Sequence, residues 1–112
     1  MDKVANYQNI LCDLLKEYAS IKKRLTPDVK FETLIDKEQH HYVLLSIGWH
    51  KQSFVYTTAF HFDIIEGKIW LQQNNTDVMI ADELEERGVA KSDIVLGFQP
   101  AHVRSYSGYA VA

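Results

Sequence analysis

The fold is decided by residues 54–71, which read FVYTTAFHFDIIEGKIWL. Every second residue over the first part of this stretch is apolar or threonine: Phe54, Tyr56, Thr58, Phe60, Phe62 and Ile64. A period of two predicts a β-strand that carries these six side chains on one face. Glu66-Gly67 then breaks the pattern, and Ile69 and Leu71 resume it, which is typical of a tight hairpin with Gly at a positive φ.

Two further strands are predicted upstream of this hairpin. The first alternates Val29, Phe31, Thr33 and Ile35 with polar residues, and the second places His41, Val43, Leu45 and Ile47 on one face before Gly48-Trp49. A short polar break at residues 37–39 separates them. Because the connections between all these strands are short, they predict an antiparallel meander and not a series of parallel crossovers.

A long helix precedes the strands, over about residues 3–23 by the periodicity of its apolar residues. Its apolar stripe recurs at steps of three and four: Val4, Tyr7, Leu11, Leu14, Tyr18 and Ile21. Asp2 suits the N-terminal end of this helix, Lys22-Lys23-Arg24 suits the C-terminal end, and Pro27 stops it.

A shorter helix follows the strands, with Thr76 as the expected N-cap and Gly88 as the C-terminal cap. Residues 94–98 form an apolar run that predicts a buried strand, and the tail 102–112 is expected to pack on the body or on a partner. The sequence thus predicts one α+β domain over residues 1–112. A long N-terminal helix packs on an antiparallel sheet, followed by a second short helix and a C-terminal strand plus tail.

Composition limits the possible functions. The 112 residues include 12 Lys and Arg against 15 Asp and Glu, a formal net charge of -3, and one cysteine. This mild acidity argues against a nonspecific nucleic-acid surface, and a single cysteine forms no intramolecular disulfide. The apolar runs fall far short of the roughly 20 residues that span a membrane, and the first residues do not resemble a signal peptide. We therefore expect a cytoplasmic protein without a membrane partner.

Few residues point to catalysis. His61 and Asp63 lie two apart on a predicted strand and share a face. We interpret them as a hydrogen-bonded polar strip on the sheet, since a stable metal site needs three or four converging ligands. Glu66 and Lys68 resemble part of a metal-dependent nuclease pattern, but the predicted turn would splay them apart. Cys12 lies inside a helix and is interpreted as an inert thiol. We expect no catalytic residues, no metal and no cofactor.

Aromatic residues are plentiful, with two Trp, six Tyr and five Phe. Trp, Tyr and Arg are favoured as interface anchors. Trp70, Arg104, Tyr106 and Tyr109 are therefore the candidate interaction surface. The alternative is that these side chains fill the core between helix and sheet.

Several strings of the sequence resemble the XisI family, the fdxN element excision controlling factors of cyanobacteria. They are residues 63–73 (DIIEGKIWLQQ), 80–84 (IADEL), 88–98 (GVAKSDIVLGF) and 104–112 (RSYSGYAVA), together with His41-Tyr42 and Gly48-Trp49. The chain departs from the family pattern at Asn75-Thr76-Asp77, where Gly-Thr-Glu is common, and at Ala90, where Pro is common. Both departures fall in turns or helix ends and leave the fold assignment intact.

The resemblance implies a role in the programmed excision of a DNA element during heterocyst development. Proteins of this family act with a companion, XisH, and a site-specific recombinase, and no active site is recognised in them. The chain is then expected to bind a XisH-like companion, to reach the recombinase and DNA only indirectly, and to be no enzyme. A homodimer is also expected, because the edges of a small sheet must be covered, charged or paired.

Two functions of other classes remain open. One is a metal-dependent nuclease or DNA-binding subunit, whose DNA binding would weaken steeply with salt. The other is an antitoxin-like inhibitor that restrains a nuclease-like companion.

Overall fold

The computed structural model describes residues 2–112. Its elements, in chain order, are α1 (Lys3–Leu25), β1 (Lys30–Asp36), β2 (His41–His50), β3 (Ser53–Ile65), β4 (Lys68–Asn74), α2 (Ile80–Glu86), a 3₁₀ turn (Lys91–Asp93), β5 (Ile94–Leu96) and α3 (Ala101–Arg104). The architecture is α+β, as the sequence predicted.

The sheet has its five strands in sequence order, β1-β2-β3-β4-β5. The first four form the predicted antiparallel meander. The turn between β3 and β4 holds Glu66 at φ 51° and Gly67 at φ 77°, the two positive values of a tight hairpin turn. β5 is reached through α2 and pairs in parallel with β4, so the last strand alone departs from the antiparallel pattern.

One face of the sheet is covered by helices, and this covered face contains the core. Leu11, Leu14 and Leu15 of α1 are completely buried in the same cluster as Phe60 and Phe62 of β3. The Tyr18 ring meets the Phe60 ring edge-on, with 5.4 Å between centroids. Because α1 presents its apolar stripe to the sheet, burial of these side chains is the main stabilising contribution of the helix.

A β-bulge divides β3 into two parts. Leu44 of β2 pairs with Phe60, but the next residue, Leu45, pairs with Thr58, so Ala59 is an extra residue without an opposite partner. The six alternating residues therefore do not share a face, and that prediction was wrong. Phe60, Phe62 and Ile64 are buried, whereas Phe54 and Tyr56 are exposed.

The ends of α1 follow the sequence prediction closely. The Asp2 carboxylate accepts a hydrogen bond from the Val4 amide at 3.0 Å and so caps the first turn. The helix continues to Leu25 before Pro27, and the Thr26 amide donates to the Lys22 carbonyl at 2.8 Å. The three basic residues lie in the last turn, where they oppose the helix dipole.

The start of α2 was predicted wrongly. Thr76 does not cap the helix, because its hydroxyl accepts from the Val78 amide at 3.1 Å within a local turn, and α2 begins at Ile80. The Asn74 side-chain oxygen accepts hydrogen bonds from the amide and from the hydroxyl of Thr76, which holds Thr76 in the turn and not at the start of the helix. The predicted C-terminal cap is correct: Gly88 has φ 103°.

The tail packs on the body of the protein. α3 follows β5 in the chain, and after it the Ala110 amide donates to the Ile94 carbonyl at 2.9 Å, beside a parallel bridge between Ala110 and Val95. The Lys68 ammonium donates to the Ala112 oxygen. The tail thus occupies the outer edge of β5.

Candidate functional site

The sheet face opposite α1 is the open face. The strand register places a row of β2 residues on it, each paired with a β3 residue: His41 with Asp63, Val43 with His61, Leu45 with Thr58, Ile47 with Tyr56 and Trp49 with Phe54. This face combines a polar end and an aromatic end on the same two strands.

The polar end is a cluster of His41, His61 and Asp63, called here the His–Asp cluster. His41 Nδ1 lies 2.7 Å and His61 Nε2 lies 2.8 Å from the same oxygen, Asp63 Oδ1. The second oxygen, Oδ2, accepts from the Gln72 side-chain amide at 3.2 Å. The Asp63 side chain is 13% exposed, whereas the His41 side chain is 53% exposed, so the cluster is a recess with its carboxylate at the base.

These contacts change the ionisation of the cluster. The hydrogen bond to Asp63 raises the pKa of His41 above its ordinary value, although partial desolvation opposes the change. Burial alone would raise the pKa of Asp63, but the hydrogen bonds from His41 and His61 outweigh burial and hold that pKa below its ordinary value. Near neutral pH Asp63 is therefore a carboxylate that two imidazole rings face.

The aromatic end consists of Trp49, Phe54 and Tyr56, called here the aromatic patch. Their exposed fractions are 62%, 55% and 67%. The Trp49 and Phe54 rings contact one another across the strands at 5.3 Å between centroids. Leu34 of β1, on the same face beside Val43, is also exposed. Such a group of large apolar side chains on one surface is typical of a docking site.

The residues predicted as an interaction surface are mostly engaged within the chain. The Arg104 guanidinium lies 5.0 Å above the Trp70 ring and donates to the carbonyls of Gln99 and Val111, each at 3.0 Å. The Tyr109 hydroxyl donates to Glu85 of α2 at 2.9 Å. These contacts hold the tail against the sheet and α2.

Tyr106 differs from those three residues. Its side chain is 88% exposed and extends from the turn after α3. It takes no part in the contacts that join Trp70 and Arg104, and the interaction surface predicted from the four residues stays a prediction.

Neither the aromatic patch nor the third member of the His–Asp cluster was predicted from the sequence. His41 joins His61 and Asp63 only through the pairing of β2 with β3, which no local pattern reports. A signal for an apolar open face did exist: residues 42–47 read YVLLSI, with apolar residues on both faces of the strand.

Glu66 and Lys68, which resemble part of a nuclease pattern, have separate local settings in the structure. Glu66 lies in the turn at a positive φ, and Lys68 at the start of β4 binds the chain's last residue. Neither residue is part of the His–Asp cluster as the structure describes it.

The sequence profile described as XisI protein matches residues 1–111. The chain belongs to the XisI family. A XisI-like protein from Anabaena variabilis has 42% identical residues and a TM-score of 0.89, with 97% of this chain and 99% of that one covered. The fdxN element excision controlling factor XisI from Anabaena variabilis has 29% identity and a TM-score of 0.84, covering 99% and 100%. Comparison with curated proteins gave no match.

None of the helices described within residues 2–112 is both long enough and apolar enough to cross a membrane.

Proposed function

We propose that this XisI-family chain is a non-enzymatic accessory factor in the excision of a DNA element. It binds a XisH-like companion through the open face of its sheet and reaches a site-specific recombinase and DNA through that companion. Membership of the family supports the excision role, since one relative is an excision controlling factor. The observation that carries the docking step is the aromatic patch.

The patch has the properties of an interface core. Trp and Tyr are enriched among residues that dominate binding energy, and they act best where a partner excludes water around them. Trp49, Phe54 and Tyr56 lie on paired strands of one sheet, so their backbone positions are fixed before binding. Docking onto a preformed surface loses little conformational entropy, which favours affinity.

The test is complex formation between the purified chain and a XisH-like protein, measured by calorimetry. Trp49→Ala and Tyr56→Ala are each expected to weaken the complex about tenfold or more, the loss typical of an interface anchor. Tyr106→Ala is the control, because it removes a tyrosine outside the patch that is even more exposed than Tyr56. No complex at micromolar concentration would contradict the companion, and unchanged affinity in both patch variants would contradict the assigned surface.

The hypothesis of an antitoxin-like inhibitor also assigns the aromatic patch as the docking surface, but it predicts a different effect on the companion's nuclease activity. An accessory factor leaves the companion's nuclease activity unchanged or raises it, whereas an inhibitor lowers it. Assaying the companion on DNA with and without this chain separates the two. Where the native chain changes the companion's nuclease activity, the Trp49→Ala variant should change it less.

The nuclease-subunit hypothesis draws support from the His–Asp cluster alone. Incubating the chain by itself with DNA and Mg²⁺ or Mn²⁺ tests it directly. We expect intact DNA, because Glu66, which resembles a nuclease residue, lies in a turn, and Lys68, the other such residue, is hydrogen-bonded to Ala112.

A further inference from the structure

The His–Asp cluster has the form of a metal-ligand set. Two imidazole nitrogens and one carboxylate oxygen lie within 4.8 Å of one another. The rings of His41 and His61 stand nearly perpendicular, at 84°, and both direct a nitrogen at Asp63 Oδ1. Three donors of these types, converging from two paired strands, match the sets that bind zinc and similar ions.

We propose that His41, His61 and Asp63 bind one divalent transition-metal ion, with Zn²⁺ as its representative. Imidazole suits Zn²⁺, Co²⁺, Ni²⁺ and Fe²⁺, whereas an all-oxygen set would suit Mg²⁺ or Ca²⁺. The proposed site is therefore selective for the first group of metals.

Only small movements are needed to admit the ion. Ligand atoms about 2.0 Å from a tetrahedral metal lie about 3.3 Å from one another. The nitrogen-to-oxygen distances here are 2.7 and 2.8 Å, so the donors must separate by about half an ångström. Both imidazole rings must therefore turn slightly, and both have solvent beside them, since the side chains of His41 and His61 are 53% and 34% exposed.

The surroundings of the cluster support metal binding. Gln72, from the neighbouring strand β4, donates to the second oxygen of Asp63 and fixes the direction of the carboxylate. Such a contact behind a ligand orients it and raises metal affinity. The ligands stand on β2 and β3, two of the three inner strands of the sheet, which are more rigid supports than loops.

The exposed side of the cluster leaves room for further ligands. Three protein donors leave at least one coordination position of Zn²⁺ for water or for a group from another molecule. That position is on the open face, at the opposite end from the aromatic patch. The metal site does not depend on the proposed function, because it is measured on the isolated chain.

A second His–Asp pair of the protein provides a matched control. His50 Nδ1 lies 3.1 and 3.0 Å from the two oxygens of Asp28, at the far end of β2. This pair has the same chemistry but belongs to no group of three such ligands in the part of the chain that the structure describes. Loss of His50 should therefore leave metal binding unchanged.

The experiment is titration of the tag-free, chelator-treated full chain with Co²⁺, followed by visible absorption, and with Zn²⁺, followed by calorimetry. We expect one ion per chain and a Co²⁺ spectrum of low coordination number. His61→Ala and Asp63→Asn should each weaken binding about 100-fold or more. Gln72→Ala should weaken it about tenfold, as usual for a residue that orients a ligand, and His50→Ala should leave it unchanged.

Circular dichroism of each variant establishes that it is folded, and Asp63→Asn keeps the shape of the side chain. The proposal is overturned if neither metal binds at millimolar concentration. It is equally overturned if folded His61→Ala and Asp63→Asn variants bind with native affinity, or if His50→Ala abolishes binding. Failure of the companion to bind would not affect any of these outcomes.

Discussion

The two faces of one sheet differ sharply although both carry aromatic residues from the same strand. Phe60 on the covered face is completely buried beneath α1, whereas Phe54 on the open face is 55% exposed. The amino acid and the strand are the same, so the difference comes from Ala59, the extra residue between them. A single bulge thus lets β3 contribute to the core with one half and to a surface with the other.

The largest expected effect is on the covered face. Phe60→Ala should lower the free energy of unfolding by about 3–5 kcal/mol, because it removes a buried ring and leaves a cavity. Phe54→Ala, the matched change on the open face, should cost less than about 1 kcal/mol. Urea denaturation of both variants measures the difference. Equal losses would mean that the open face is packed as the covered face is.

A smaller effect is expected at the helix that covers the sheet. Asp2→Ala removes the side chain that accepts from the Val4 amide and should destabilise the protein by about 1 kcal/mol. Asp13→Ala, an exposed aspartate in the middle of α1, is the control. Thermal unfolding should separate the two variants. A larger loss from Asp13→Ala than from Asp2→Ala would contradict the cap.

On the open face, the contact between Trp49 and Phe54 can be measured as a coupling. A double-mutant cycle with Trp49→Ala and Phe54→Ala should give an interaction energy of about 0.2–1 kcal/mol, the usual range for a cross-strand pair. The measurement is urea denaturation of the native chain, both single variants and the double variant. Additive losses would show that the rings contribute no mutual stabilisation in the free protein.

The smallest effect near neutral pH concerns Tyr18, which donates its hydroxyl proton to Glu83. Burial and this hydrogen bond raise the pKa of Tyr18 to about 12. In the unfolded chain Tyr18 loses its hydroxyl proton near pH 10. The stabilising contribution of the Tyr18 hydroxyl is therefore complete below that pH and is lost as the pH rises towards 12. Tyr18→Phe should therefore show a shallower loss of unfolding free energy as the pH rises from about 10 to about 12. If the free energy of unfolding falls equally steeply with pH in the native chain and in Tyr18→Phe, the assigned role of the Tyr18 hydroxyl is contradicted.

The sequence predicted the elements well because each depends on local chemistry. Asp2 and Pro27 bound α1, and Gly67 determines the hairpin turn, whatever packs around them. The start of α2 was misplaced because Thr76 had a second partner, the side chain of Asn74, which takes it into a turn. A cap and a turn use the same hydroxyl, and sequence alone does not choose between them.

The candidate sites were harder to predict because they depend on register. Whether His41 meets Asp63 depends on how β2 aligns with β3, and a shift of one residue would move it to the other face. The bulge at Ala59 also depends on strand register, and alanine has no local preference that would mark a bulge in the sequence. Arg104 stays a predicted surface residue, and its guanidinium also makes a contact within the chain, over the Trp70 ring, that no local sequence pattern indicates.

The hydrogen bond from the Ala110 amide to the Ile94 carbonyl affects which edge of the sheet is free to pair with another copy of this chain. A sheet that offers two free edges can add chains without limit and grow into a filament. Here the tail occupies the β5 edge, and within the described chain β1 at the other end pairs only with β2. The tail therefore covers part of the β5 edge, and β1 is the sheet edge that the described chain leaves for strand pairing with another copy.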